Sequence, residues 1–275
     1  MNKIITQEII DFANQLADIS SEIIKKYFRA NPSKIEQVMK DDNSPVTIAD
    51  KEVERAIRNP IMKKFPDHGI MGEEEDDINQ ESNYQWIIDP IDGTSSFIIG
   101  RPTFGTLIAL SYKGKSMLGI MNQPISGERW VGVNQPGFMQ GSWLNNKKII
   151  TSDQNHLSQA ILCTTSPFFF QNQDHEIFNK LTKTTKYQQY GGVVYGGDCY
   201  SYALLATGFV DIVLDPGLKI YDYAALIPII EMAGGIVTDW SGNEVRLESN
   251  FKMLACANKK IHQQVLRQLS ISAAQ

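Results

Sequence analysis

Apolar residues Ile5, Ile9, Phe12, Ala13, Leu16, Ile23 and Phe28 return at close to helical spacing, which predicts an amphipathic helix over residues 6 to 28. "SPVTIADKEVERAI" is expected to open a second helix near Thr47 with Asp50 in its first turn, and Asn59-Pro60 to kink or break it. "YQWIID" reads as a buried strand ended by Pro90. The stretch "FGTLIALSYKGKSMLGIMNQPISGERWVGVN" alternates short β-rich runs with "KGK" and "SGE" turns, the pattern of an antiparallel meander. After "LNNKKI" strands and helices alternate: "AILCTT", a helix from about Asp174, "DCYSYALLATG", "VDIVL", "DYAALIPIIEMAGG", "GIVTDW", "KMLACA" and a last helix from about Lys259. The fold class is therefore mixed α/β.

No internal repeat, low-complexity tract or Pro/Gly/Ser linker divides the chain. One unit over residues 1–275 is expected, with approximate lobes 1–145 and 146–275, and 42% apolar content can supply its core. A net charge of -5 argues against a broad basic surface for nucleic acid. The N-terminus lacks the continuous apolar stretch of a signal peptide, and "YAALIPII" is far short of the roughly 20 residues of a membrane-spanning helix. Cys163, Cys199 and Cys256 are odd in number and form no C-x-x-C pair, which fits a reducing cytoplasm. A soluble, cytoplasmic protein with neither membrane nor nucleic acid as partner is the expectation. His68, His156, His175 and His262 lack zinc-ligand spacing and are expected on the surface or in loops, and no phosphate-cradling Gly-rich motif is present.

What remains for chemistry is carboxylate. In "WIIDPIDGTSSFIIG", Asp89 and Asp92 leave the end of an apolar strand, and "GEEEDD" before that strand could bring Glu73 beside them. Two such charges about 4 Å apart repel by roughly 4 kcal/mol at an effective dielectric near 20, so the cluster wants a cation. Oxygen-only donors select a hard ion, Mg²⁺ before Zn²⁺. In "DGTSS" the backbone amides, made approachable by Gly93, can point at an anion. Carboxylates for a metal beside amides for an oxyanion suggest a phosphate bound on Mg²⁺. The plainer alternative is a strand-to-turn junction with solvated aspartates.

These segments also carry a resemblance. "WIIDPIDGTSSF" is similar to the first signature of the inositol monophosphatase family and "YDYAALIPIIEMAGG" to its second, while "VTIAD" and "GEE" match further family segments in the same order and spacing. The resemblance covers nearly the whole chain. It implies a layered α-β-α-β-α sandwich of the inositol monophosphatase and fructose bisphosphatase type, with the site between the lobes, and a homodimer. It implies metal ligands Glu73, Asp89, the Ile91 carbonyl, Asp92 and Asp222, with phosphate on the amides of Gly93, Thr94 and Ser95. Asp50 with the Thr94 hydroxyl would orient and deprotonate the attacking water. Two or three Mg²⁺ ions would offset the repulsion between a phosphate dianion and an acidic site, clamp attacking and leaving oxygens, and acidify that water. Asp222 as an N-cap and Asp50 as a first-turn acid are the simpler alternatives, and capping and ligation can coexist.

Within the family, "GGDCYSYALLATG", "DPGLKIYD", "ALIPIIE" and "FGTLIAL" resemble the monophosphatase-type histidinol-phosphatases. Histidinol phosphate carries an ammonium and an imidazole, which Asp198 and Asp215 would bind; Asp198 as a helix N-cap is the competing reading. The chain departs from that branch in two places, with Ser95 where Lys or Arg is common and Ile220 where Pro is common. The resemblance thus implies a Mg²⁺-dependent histidinol-phosphatase acting on a small phosphorylated metabolite in histidine biosynthesis. The alternatives are an inositol or broad sugar-phosphate monophosphatase, or, in another class, a catalytically silent metal-binding or assembly protein.

Overall fold

A computed structural model describes residues 4–30, 37–39, 45–186, 193–245, 247 and 251–271. Its elements in chain order begin with α1 (Gln7–Tyr27), β1 (Gln37–Met39), β2 (Pro45–Thr47), α2 (Ile48–Lys64), β3 (Gly69–Gly72), β4 (Tyr84–Asp92) and α3 (Thr94–Ile98). Then follow β5 (Gly105–Tyr112), β6 (Lys115–Gln123), β7 (Glu128–Gln135), β8 (Met139–Leu144), β9 (Lys147–Lys148), β10 (Leu162–Thr164), α4 (Gln173–Thr182) and β11 (Val194–Tyr195). The last are α5 (Asp198–Ala206), β12 (Ile212–Leu218), α6 (Ile220–Tyr223), α7 (Leu226–Met232), β13 (Ile236–Asp239), β14 (Phe251–Cys256) and α8 (Lys259–Ile271). Among the described residues no helix is long and apolar enough to cross a membrane.

β3 to β9 form a seven-stranded sheet in sequence order, with β3 and β4 parallel and the meander antiparallel, as the turn pattern predicts. β10 to β14 form a five-stranded sheet in the order β11-β10-β12-β14-β13, parallel through its first three strands and antiparallel through the last three. Side-chain alternation separates three cores. Ile88, Ile108 and Leu110 pack with α1 and α2, while Ile87, Leu107 and Ala109 on the opposite face pack with α5 and α7. Val213 and Ala255 close that middle core from the second sheet, whose far face presents Ile212, Leu214 and Leu254 to α4 and α8. The result is the expected five-layer sandwich, helix, sheet, helix, sheet, helix.

Some expectations need correction. α2 runs through Pro60 to Lys64 rather than breaking at Asn59-Pro60. Only one carbonyl loses its helical partner to the missing N–H, and the buried side chains of Ile57 and Ile61 hold the last turn. Pro90 does not end β4, which continues to Asp92. "DYAALIPII" forms two short helices, α6 and α7, instead of one. His262 lies buried on α8, its Nε2 2.8 Å from the Thr238 hydroxyl, instead of on the surface or in a loop.

Two glycines fix the middle layer. A Cβ on Gly119 would lie 1.9 Å from the Ala225 carbonyl oxygen, and one on Gly132 would lie 2.3 Å from the Ile229 amide nitrogen. Bare strand backbone therefore lets the start of α7 sit directly on the seven-stranded sheet. The Ser116 hydroxyl donates to the Ala224 carbonyl at 2.7 Å, fixing the same segment a few residues after Asp222.

Candidate active site

Asp89 and Asp92 are three apart, so on a regular strand their side chains would point to opposite faces. Pairing Asp89 with Leu107 and Asp92 with Gly105 sets three steps on β4 against two on β5. The extra residue is taken up as a bulge that returns Asp92 to the side of Asp89. Local bonds hold it: the Ile91 amide donates to Asp89 Oδ1 at 3.0 Å and the Thr106 hydroxyl to the Pro90 carbonyl at 2.9 Å. Proline is tolerated because a bulge position owes no ladder donor.

Asp222, third residue of α6, completes the group. One oxygen each from Asp89, Asp92 and Asp222 lie within 4.8 Å of one another. Asp222 Oδ2 also accepts the Lys219 amide at 2.7 Å, so it caps its helix and joins the cluster at once. Glu73 lies outside this close group among the described residues but lines the same cavity, carried beside Asp89 by the Gly72–Ile88 pairing of β3 with β4.

Burial and mutual repulsion raise these acids. Asp89 is pushed well above the usual carboxylate range by burial, then by Glu73, Asp92 and Asp222. Asp92 is raised likewise by burial, then by Asp198 and Asp222, although the Cys199 amide donates to its Oδ2 at 2.6 Å. Burial brings Asp222 to about 7. Such a group is short of positive charge, and its all-oxygen donor set suits a hard divalent cation.

Asp50 is fully buried and divides its oxygens. Oδ2 accepts the Thr47 amide at 2.9 Å and the Thr47 hydroxyl at 2.5 Å, closing a capping box. Oδ1 faces the Thr94 hydroxyl at 3.5 Å, the outer limit of a hydrogen bond, while that hydroxyl lies 3.1 Å from the Ile91 carbonyl oxygen. Burial, with a contribution from Glu73, raises Asp50 to about 6. Gly93 takes φ 85° to turn the chain from β4 into α3, and Gly93, Thr94 and Ser95 line the cavity. The leading amides of α3 have no acceptor within the helix.

The cavity, about 640 Å³, lies between the ends of β4 and β12, with Asp198 on its wall. Asp198 opens α5 at φ 40°, an uncommon conformation for a residue with a side chain, after Gly196 and Gly197 at positive φ. Its Oδ2 accepts the Ser96 hydroxyl at 3.2 Å, and a Cβ on Gly93 would lie 2.8 Å from it. Burial raises Asp198 to about 6. Asp215 sits differently. It is buried, does not line the cavity, and accepts the Thr164 hydroxyl at 2.7 Å, the Thr165 amide at 2.8 Å and the Tyr202 hydroxyl at 2.9 Å.

Sequence reasoning missed Glu54 and Arg58. Both are buried, and Arg58 Nε donates to Glu54 Oε1 at 2.8 Å. Glu54 accepts the Glu74 and Glu75 amides at 2.8 and 3.1 Å, and Arg58 donates to the Glu75 and Asp76 carbonyls, both at 2.8 Å. This pair shapes the acidic loop that carries Glu73. A signal existed: Asp50, Glu54 and Arg58 recur every four residues beside Ala49, Val53, Ile57 and Ile61, one charged stripe along a buried face.

Comparison with known proteins adds to this geometry. The Inositol monophosphatase family model matches residues 5–274. The chain is 47% identical over 265 residues to the bifunctional phosphatase IMPL2, chloroplastic, of Arabidopsis thaliana, an alignment covering 93% of this chain and 73% of that protein. It is 34% identical over 237 residues to a histidinol-phosphatase of Chlorobaculum parvum, covering 86% and 87%. Among solved structures, an inositol monophosphatase from Zymomonas mobilis superposes with a TM-score of 0.84 at 39% identity, covering 96% of this chain and 98% of that one.

Proposed function

The chain belongs to the inositol monophosphatase family, and from that premise we propose that it is a Mg²⁺-dependent phosphate monoester hydrolase whose substrate is histidinol phosphate. The family consists of metal-dependent phosphatases that act on small phosphorylated metabolites. The observation that carries the reading is the convergence of the Asp89, Asp92 and Asp222 oxygens within 4.8 Å, beside the start of α3.

Glu73, Asp89, the Ile91 carbonyl, Asp92 and Asp222 would hold the ions, two or three in number. Bound there, Mg²⁺ supplies charge neutralisation for a phosphate dianion and acidifies the attacking water. The protein's own part is positional. The amides of Gly93, Thr94 and Ser95 receive the phosphate oxygens. The attacking water donates to Thr94 Oγ1, whose own proton moves toward Asp50 Oδ1; the capping box holds Asp50 so that this oxygen alone faces the site. Asp198 receives a cationic group of the leaving alcohol. Asp215 acts through others, fixing Thr165 and Tyr202, instead of touching the substrate.

Hydrolysis of inositol 1-phosphate on the same residues is the second reading, favoured by the similarity to the Zymomonas mobilis inositol monophosphatase. Phosphate release from histidinol phosphate and inositol 1-phosphate, each with Mg²⁺ and with EDTA, separates the two. The first reading requires a large kcat/KM preference for histidinol phosphate that EDTA abolishes. Comparable values would transfer the assignment to a broad monophosphatase, and turnover insensitive to EDTA would remove the metal.

A further inference from the structure

The sequence "SPFFFQ", Ser166 to Gln171, places three phenylalanines in a row next to the cavity. Their fates differ. Phe170 is buried, its ring stacked 4.1 Å from Phe178 and 5.8 Å from Trp240, whereas Phe168 is 87% exposed and Phe169 55% exposed. Both exposed rings line the cavity that holds Asp92, Asp198 and Asp222. Their backbone is a short 3₁₀ turn, Pro167–Phe169, whose Phe168 amide donates to the Ser166 hydroxyl at 3.3 Å.

Both ends of this turn are anchored. Before it, Thr165 donates to Asp215 through its amide at 2.8 Å and through its hydroxyl at 3.3 Å; after it, Phe170 is locked in the core between α4 and β13. A turn held at both ends with two apolar rings turned outward is not an accommodation of the core. Apolar rings on a wall shared with carboxylates match a flat ligand that is both apolar-faced and cationic, because an aromatic face attracts a cation while the carboxylates neutralise it.

We propose that Phe168 and Phe169 form an aromatic shelf on which the heteroaromatic, cationic end of the leaving alcohol packs, and that Asp215 is the positioning residue that holds the root of the shelf. The proposal rests on the reading of the substrate as histidinol phosphate and assigns its imidazole to this wall. A polyol such as inositol has neither an aromatic face nor a positive charge and gains less from the shelf.

The test compares wild type with Phe168→Ala/Phe169→Ala and with Phe168→Leu/Phe169→Leu, each at saturating Mg²⁺ on histidinol phosphate and on inositol 1-phosphate. The alanine pair is expected to raise KM for histidinol phosphate roughly tenfold, with kcat for both substrates and KM for inositol 1-phosphate within about twofold of wild type, the spread expected of side chains remote from the reacting atoms. The leucine pair, which keeps apolar area without a ring, should fall between. Equal KM changes on both substrates, or none on either, would overturn the shelf. Failure of the substrate reading shows elsewhere, in the wild-type kcat/KM ratio: a wild-type preference for inositol 1-phosphate discards that reading even if the variants still lose affinity for histidinol phosphate.

Discussion

On one side of the cavity, Asp92 lines it from the end of a sheet strand, with Asp89 on the same strand and Asp50 in the first turn of a long helix buried nearby, each carboxylate fixed by backbone or side-chain donors. On the other, Asp198 begins a helix in a strained conformation and Phe168 and Phe169 ride a 3₁₀ turn. Apart from Glu73 on its loop, regular elements hold the groups proposed for metal and water, and irregular ones hold those proposed for the leaving alcohol. Sites on strands and helices are held more closely than sites on loops, and reaction chemistry needs the closer tolerance. The irregular wall can change with substrate while leaving the first intact.

By this division the largest loss comes from the regular wall. Asp92→Asn should reduce Mg²⁺-dependent turnover to background on either substrate while circular dichroism stays native; near-normal activity would remove Asp92 from the ligands. Asp50→Asn should lower kcat by about 10²- to 10⁴-fold, the usual scale of a lost general base, with little change in KM. Glu54→Gln should weaken Mg²⁺ affinity by roughly 10- to 100-fold and leave kcat at saturating metal close to wild type, since it shapes the loop of Glu73 without facing the cavity. Titration of activity against Mg²⁺ checks this, and an unchanged midpoint would confine Glu54 to stability. On the irregular wall, Asp198→Ala should lower the preference for a cationic substrate by about 1–3 kcal/mol in kcat/KM, and an equal loss on inositol 1-phosphate would make it a structural residue only.

The smallest effect concerns acid. Asp50, Asp198 and Asp222 are raised to about 6, 6 and 7, so between the unfolded carboxylate range near 4 and pH 7 the metal-free folded chain binds more protons than the unfolded one. Their contribution to stability is therefore fully present below the unfolded value and is lost as pH rises through the folded values. In EDTA, Tm should fall between pH 5 and pH 8 more steeply in wild type than in Asp222→Asn, and Mg²⁺ should flatten the wild-type slope. Parallel slopes for both proteins would show that the cluster does not titrate with folding.

How much of this could be read from the chain varies by residue. The strand of Asp89, the first-turn position of Asp50 and the meander follow from local periodicity, and the layers follow once strand faces alternate. Pro60 and Pro90 misled because local preference was overridden, in one case by buried Ile57 and Ile61 and in the other by a bulge. Asp215 misled for a different reason. Sequence distance to Asp222 says nothing of whether donors such as Thr164, Thr165 and Tyr202, brought from other elements, will occupy its oxygens first. Phe168 and Phe169 were overlooked because apolar residues are read as core by default, and only Phe170 obeys.

The bulge between Asp89 and Asp92 acts on side chains as a frameshift acts on codons. Upstream of it odd-numbered residues face the middle layer; across it the parity inverts, and Asp92 faces inward in a phase a flat strand would deny it. A substitution at Ile91 keeps that phase and changes one contact. Inserting one more residue between the aspartates would turn Asp92 to the opposite face, whereas deleting Ile91 would leave two steps against two, straighten the strand end and remove the amide that donates to Asp89 Oδ1. The intolerance of this strand end is thus to length more than to identity, and insertions or deletions there should be far rarer among functional variants than exchanges of the residues between the two aspartates.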